Sequence, residues 1–331
     1  MATMGAATTD IMAQVRRLVA SQAASAETRR PFRFFLCGDP SLVSDLRATL
    51  LWSDDDALLP LDAAATLETI DPSRRPAVVS NEVRCTIFLG RAGDAAGAHL
   101  EPLLKLGVPL FVVTVDPAAE PQTPLLAPAP GKQDAYIVPS LDREALRSRL
   151  FPHIIDCCKG IEVAVGRRLP ALREAVAAKL TRDAASNALK VAAASAVIDH
   201  VPILGLALGA VASAGDIVAI TAIQVSLLMN IGAAYGKDPD MASVWEMLPI
   251  VGGGLGWRAL ARELSGFIPI AGIAIKGGIA FAGTIVVGEG ITFFYEHGSH
   301  MSKAQAAMIY EDTKRAAMSL AHEFSARFKR R

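Results

Sequence analysis

Val201-Pro202-Ile203-Leu204-Gly205-Leu206-Ala207 and Ile268-Pro269-Ile270-Ala271-Gly272-Ile273-Ala274 decide how this chain reads. The two stretches lie 67 positions apart (269 minus 202), and Pro, Ile, Gly and Ala match in place. Each leads into a long apolar run holding one formal charge, Asp216 in the first and Lys276 in the second. Val201 to Phe294 therefore reads as an α-helical region built from two related, glycine-rich apolar hairpins. In the first, Gly205, Gly209 and Ser213 recur every fourth residue, an edge that lets two helix backbones approach closely in a membrane hairpin or in a tight soluble bundle.

The totals agree with such a region. The 331 residues suffice for two domains. Apolar residues make up 52% and charged residues 20%, on the apolar side of soluble composition, with Ala, Gly, Leu and Val carrying the bulk. Formal charge is zero, 33 basic against 33 acidic, so no general nucleic-acid footprint is present. The cysteines Cys37, Cys85, Cys157 and Cys158 form no C-x-x-C, which is the usage of a reducing compartment. Met1 to Ser25 lacks an apolar h-region and does not read as a secretory signal.

From the repeats outward, three domains are expected. Residues 1–30 hold an amphipathic helix capped at Thr9-Asp10, with Ile11, Val15, Leu18 and Val19 on one stripe. Residues 31–158 alternate strands with helices and predict a small, mostly parallel α/β sheet. Its strands are expected at Phe32 to Cys37, Val83 to Leu89, Val108 to Val115 and Tyr136 to Val138. Its helices are expected at Leu42 to Trp52 with Ser41 as cap, Ala95 to Leu106, and Leu141 to Cys158. The stretch from Asp54 to Arg75 reads as surface loop with one short helix, and Ala119 to Gln133, with four prolines, as loop. Residues 159–331 read as all-α, with helices at Leu169 to Leu180 and Ala184 to Ile198. A break follows at Tyr235-Gly236, and an amphipathic helix from Ser302 to Phe328 has Ile309, Ala316, Leu320, Phe324 and Phe328 along its apolar edge.

Gly38 lies between a strand and a helix, where a phosphate loop would be. The pattern G-x-x-x-x-G-K-[ST] requires Gly, Lys and Ser/Thr at 43 to 45, and this chain has Val43, Ser44 and Asp45. No lysine reaches for phosphate, and a carboxylate stands where a hydroxyl should hold magnesium. A guanine-reading N/T-K-x-D is missing at Thr114-Val115-Asp116, and Gly90 to Asp94 holds no D-x-x-G. The layout is that of a small GTPase without its catalytic parts. His297 and His300, three apart, read as a helix-end cap before a metal pair. Asp216 and Lys276 are costly inside apolar helices unless paired, so each either meets a partner across the bundle or marks a helix end at water. Gln224 reads as a buried amide bonding across helices.

Asp216-Ile217, Ile223-Gln224, Met229, Tyr235-Gly236, Gly256-Trp257-Arg258, Arg262, Ile268-Pro269 and Gly272 occur in an order that resembles one helical domain family. That family is the uncharacterised bacterial domain found C-terminal to Era-like GTPase domains and in YcjF-type inner-membrane proteins. The resemblance covers residues 185–298. It implies a membrane-associated helical module preceded by a G domain, and it carries no catalytic residue with it.

The expected function is a non-catalytic, membrane-associated interaction or scaffold protein without cofactor, metal or nucleic-acid ligand. Its α/β domain would bind a protein partner, and its hairpins would dock on a membrane or on a second copy. The expected location is the bacterial inner membrane or its cytoplasmic face, with the soluble cytoplasm as the alternative. Two other readings are a nucleotide-dependent switch held by Gly38, Ser41 and Ser44, and a pore lined by Asp216 and Lys276. Val201 to Ile223 and Phe267 to Val287 each have about the ~20 residues a span requires. Trp245, Trp257 and Tyr295 flank them as an aromatic belt would.

Overall fold

The computed structural model describes residues 27–53, 59–73, 79–94, 97–198, 205–238 and 273–328. For 97–98, 193–198, 205–217, 273–276, 303 and 317–328 the description is of the backbone alone. The expected helix over 10–25, residues 201–204 and 268–272 of the two repeat openings, and Trp245, Trp257, Arg258 and Arg262 lie outside the described residues.

Five strands form one sheet: β1 (Arg33–Gly38), β2 (Leu67–Thr69), β3 (Val83–Arg91), β4 (Leu110–Val115) and β5 (Gln133–Val138). Their order is β2-β1-β3-β4-β5, and all four pairings are parallel. This is the doubly wound order of flavodoxin-type sheets, whose switch point lies between β1 and β3. The strands read as continuous apolar runs because both faces are covered. On one face Phe35, Cys37, Phe88, Leu110 and Val112 pack with Leu103 and Leu106. Strand alternation turns Phe34, Leu36, Ile87, Leu89, Phe111 and Tyr136, all buried, to the other.

Helix α1 (Pro40–Leu51) follows β1 and buries Leu42, Val43, Leu46 and Leu50, a stripe at helical spacing. Helix α2 (Gly97–Leu104) connects β3 to β4. Three short helices, α3 (Arg143–Arg147), α4 (Phe151–Asp156) and α5 (Glu162–Arg168), come after β5. The single helix expected from Leu141 to Cys158 is thus two pieces. Pro152 falls in the first turn of α4, where its missing N–H costs nothing, whereas inside one continuous helix it would remove a backbone hydrogen bond and crowd the preceding turn. The loop expected between Asp54 and Arg75 contains β2, a three-residue edge strand paired to Phe34–Leu36. Arg33 donates to Glu68 there at 2.9 Å.

After a 3-10 turn at Pro170–Leu172 come α6 (Arg173–Ile198), α7 (Gly205–Ala234), α8 (Ile273–His297) and α9 (Lys303–Phe328). The two helices expected between Leu169 and Ile198 are one from Arg173 onward, since neither Gly nor Pro occurs inside that span. Helix α7 ends where Gly236 adopts φ +92 and its N–H donates to the Ala233 carbonyl at 3.1 Å. Helix α9 starts on a capping box. The Gln305 N–H donates to Ser302 Oγ at 3.2 Å, and the Ser302 N–H donates back to Gln305 Oε1 at 3.0 Å. On its expected apolar edge Ile309 is half-buried and Ala316 is exposed.

The chain divides into two compact units. One spans Ser25–Lys179 with Ala233–Lys237, and the other contains Leu180–Gly232 and the described residues from Asp238 onward. In the α/β unit, Arg168 is buried over the Phe32 ring. It donates to Asp62 at 2.8 Å and to the Thr28 carbonyl at 3.0 Å. The Ala233–Lys237 segment is seated by Arg167, which donates to the Lys237 carbonyl at 3.0 Å, and by Arg173 over the Tyr235 ring. In the helical unit, Ala188 and Ala192 of α6 meet Ala280 of α8, with Ile220 and Ile223 of α7 against them.

Candidate functional site at the carboxyl edge of the sheet

Open doubly wound sheets bind ligands outside the carboxyl ends of the strands, at the switch point. Here that point lies between Gly38, at the end of β1, and Arg91, at the end of β3. The register pairs Gly38 with Leu89, and the Asp39 N–H donates to the Leu89 carbonyl at 2.9 Å. Gly38 has φ +110, and a Cβ there would overlap the Leu89 carbonyl oxygen.

The first turn of α1 directs its free amides at the place a phosphate would take. That place is held by the chain's own carboxylate. Asp39 Oδ1 accepts from the Ser41 N–H at 2.9 Å, the Leu42 N–H at 3.1 Å and the Ser41 hydroxyl at 2.6 Å. Asp39 is therefore the N-cap that the sequence pattern assigns to Ser41. Arg91 closes the group: Nη2 donates to Ser41 Oγ at 2.8 Å, and Nε lies 3.4 Å from Asp39 Oδ2. The Arg91 N–H in turn donates to Asp94 Oδ2 at 2.8 Å. Of the residues expected to cradle a nucleotide, Gly38 and Ser41 come together here, and Ser44 lies one turn further along α1, exposed.

The hydrogen bond from Ser41, then that from the Leu42 amide, hold the Asp39 carboxyl down from 3.8 to about 2. A carboxyl depressed on folding stabilises the folded state above its ordinary range, and that contribution disappears as pH falls through the folded value. Asp39→Ala should therefore be less stable than the wild type at neutral pH. The gap should close between 3.8 and about 2 in denaturant midpoints measured across acid pH. A gap that persisted unchanged at the acid end would remove the charge from the account of the cap.

Beside this group opens a cleft of about 530 Å³, bounded by Leu42, Asp45, Thr49, Arg91, Val115 and Asp142. Thr49 Oγ1 donates to the Leu141 carbonyl at 2.8 Å and ties α1 to the segment after β5. Asp142 caps α3 by accepting from the Ala145 N–H at 2.8 Å; the Ser140 hydroxyl first, and then that amide, lower its carboxyl below the usual range. The cleft thus presents Asp45 and Asp142 against a single arginine that Asp39 and Ser41 already engage. Burial pushes the Cys37 thiol up to about 12, and burial first, then Asp156, does the same at Cys157, the opposite of the shift that activates a thiol. Among the described residues no group of three His, Cys, Asp or Glu is placed to hold a metal ion.

In the helical unit, Gln224 Nε2 of α7 donates to Thr284 Oγ1 of α8 at 3.3 Å, and Thr284 Oγ1 donates to the Ala280 carbonyl at 2.8 Å. Gly205, Gly209, Ser213 and Asp216 lie on α7 and Lys276 on α8, but their side chains are outside the description, and so is the Asp216–Lys276 pairing. Among the described residues, two glycines of α8 make close approaches. Gly277 faces Leu189, and Gly288 faces Thr181 so tightly that a Cβ would overlap the threonine Oγ1 and Cγ2. His297 Nδ1 lies 3.1 Å from the Phe293 carbonyl, and His300 stacks on Phe294. One described stretch, Gly277–His297, is long and apolar enough to cross a bilayer, with mean hydropathy 1.5, and 56% of its most apolar 18-residue window is buried within the protein.

Asp39, Arg91 and Asp94 are absent from the residues that the sequence singles out. Asp39-Pro40 ahead of an apolar helical stripe is a readable cap signal, whereas nothing local announces that Arg91 meets it. No protein-family model, no curated protein and no solved structure matches this chain.

Proposed function

We propose that this chain is a non-catalytic, membrane-associated interaction protein. Its α/β unit acts as a GTPase-like module that presents a surface to a protein partner, and its apolar helices dock on the membrane. The observation that carries the non-catalytic part is the Asp39 carboxylate on the Ser41 and Leu42 amides, flanked by Asp45 and Asp142. A nucleotide phosphate would have to displace one carboxylate and sit near two more. The GTPase-like character rests on the resemblance of the C-terminal region and on the helix that follows β1. The membrane part is supported by the apolar stretch of α8. Glu289, exposed near the middle of that stretch, favours docking at the interface over a stable span.

Fractionation of the full chain tests the proposal. The expected result is recovery with membranes at neutral pH and release by carbonate, with no change in Tm on adding magnesium and millimolar GTP or ATP. Complete recovery in the soluble fraction would sink the membrane part. A nucleotide-dependent rise in Tm would favour a switch held by the backbone amides of Gly38 to Ser41.

A further inference from the structure

We propose that the loop between β4 and β5 is a lipid-inserting finger, in which Leu125 and Leu126 enter the apolar margin of an uncharged phospholipid surface. The inference rests on the membrane association proposed above and assigns it a contact within the α/β unit.

Leu125 is 96% exposed and Leu126 77%, while the loop carrying them is pinned on both sides. Before the tip, Gln122 and Ile137 exchange both backbone hydrogen bonds, at 3.1 and 3.0 Å, as an antiparallel bridge on β5. After it, Pro128 is buried, the Lys132 N–H donates to the Ala129 carbonyl at 2.9 Å, and the Gly131 N–H donates to the Val108 carbonyl at 3.2 Å. Only the few residues around Pro124 to Ala127 project. Pro121, Pro124, Pro128 and Pro130 fix φ along the loop, so little further ordering is needed when the tip is buried. Two leucines held out in water by such a frame do nothing for the core beneath them.

Charge and area select the occupant. Between Asp116 and Lys132 the sole charged residue is Glu120, so the loop offers no cation to anionic headgroups or to nucleic acid. Two side chains fall far short of the ~800 Å² per partner that a stable protein interface buries. A lipid surface accepts a small convex apolar tip without needing a matching concavity, and Leu gains by burial in it.

The test uses the full chain. Leu125→Cys in a Cys157→Ser background leaves the remaining thiols buried, so a nitrobenzoxadiazole label reports on the tip. With phosphatidylcholine vesicles the label should brighten and shift to the blue, and phosphatidylserine should not strengthen binding. The unlabelled Leu125→Asp, Leu126→Asp double variant should keep its Tm and bind about tenfold or more weakly. A silent label while the chain co-sediments with vesicles would overturn the finger and leave the membrane reading standing. No co-sedimentation at all would overturn both. A doubled mass by light scattering without vesicles, lost in the double variant, would assign the tip to a second copy and overturn the lipid assignment.

Discussion

Gly38→Ala should lower the stability of the α/β unit by about 3 kcal/mol or more, through a left-handed φ and a collision together. A Cβ at φ +110 would overlap the Leu89 carbonyl oxygen and lie 2.8 Å from the Leu89 N and carbonyl carbon. The obstacle is backbone, not the end of a flexible side chain. That carbonyl also accepts from Asp39, so retreat would loosen the ladder between β1 and β3 and the cap of α1 in one step. For a unit of this size the loss corresponds to a fall in Tm of about 6–12 °C. Cys37 and Cys85, both buried in this unit, should become accessible to thiol reagents at lower temperature. A variant that melted within about 1 °C of the wild type would refute the strain argument.

The helical unit carries the second large effect. Gly288→Val should cost about 3 kcal/mol, because the branched side chain would be driven into Thr181 Oγ1 and Cγ2, with its Cβ 2.8 Å from that of Thr181. Thr181 is itself buried. Two residues away, Gly290 has nothing within 4 Å of an added Cβ. Gly290→Ala should raise stability by about 0.5–1 kcal/mol by removing backbone freedom from the unfolded chain. Calorimetry of the two variants decides the matter. Equal effects would mean that α6 and α8 do not meet at Gly288, whereas opposite signs would fix the face of α8 turned to the interior.

β1 and β4 were legible as apolar runs bounded by Pro, Gly or Asp, and β3 as a buried apolar run. Only Tyr136 to Val138 of β5 was legible, because its first half, Gln133-Asp134-Ala135, is polar and partly exposed. β2 was not, since Leu-Glu-Thr is too short to alternate and is a strand only because Phe34–Leu36 lies beside it. The break between α3 and α4 could have been read from Pro152, and the continuity of α6 from its lack of Gly and Pro. The candidate site was half legible. Gly38 and Ser41 announce a strand-to-helix turn, but Arg91 reaches Asp39 only through the register that sets Gly38 against Leu89. Gly288 and Thr181 share that limit, because a contact between distant helices leaves no mark in either local pattern. The Leu125-Leu126 tip lies within a stretch whose prolines announce a loop, but exposure depends on where its two ends are fastened.

The seating of Ala233–Lys237 bears on the order of synthesis. On a translating ribosome the sheet and its helices are complete in sequence by Lys179, yet the last pieces of the same unit arrive 54 residues later (233 minus 179). At about 5–20 residues per second that is a wait of roughly 3–11 s. During it the hollow at Gly166, where an added Cβ would lie 2.9 Å from the Ala234 Cβ, has yet to receive its plug. The nascent α/β unit is therefore finished only after most of α7 has been made, and a chain cut after Lys179 would keep its strands but lack its closing piece.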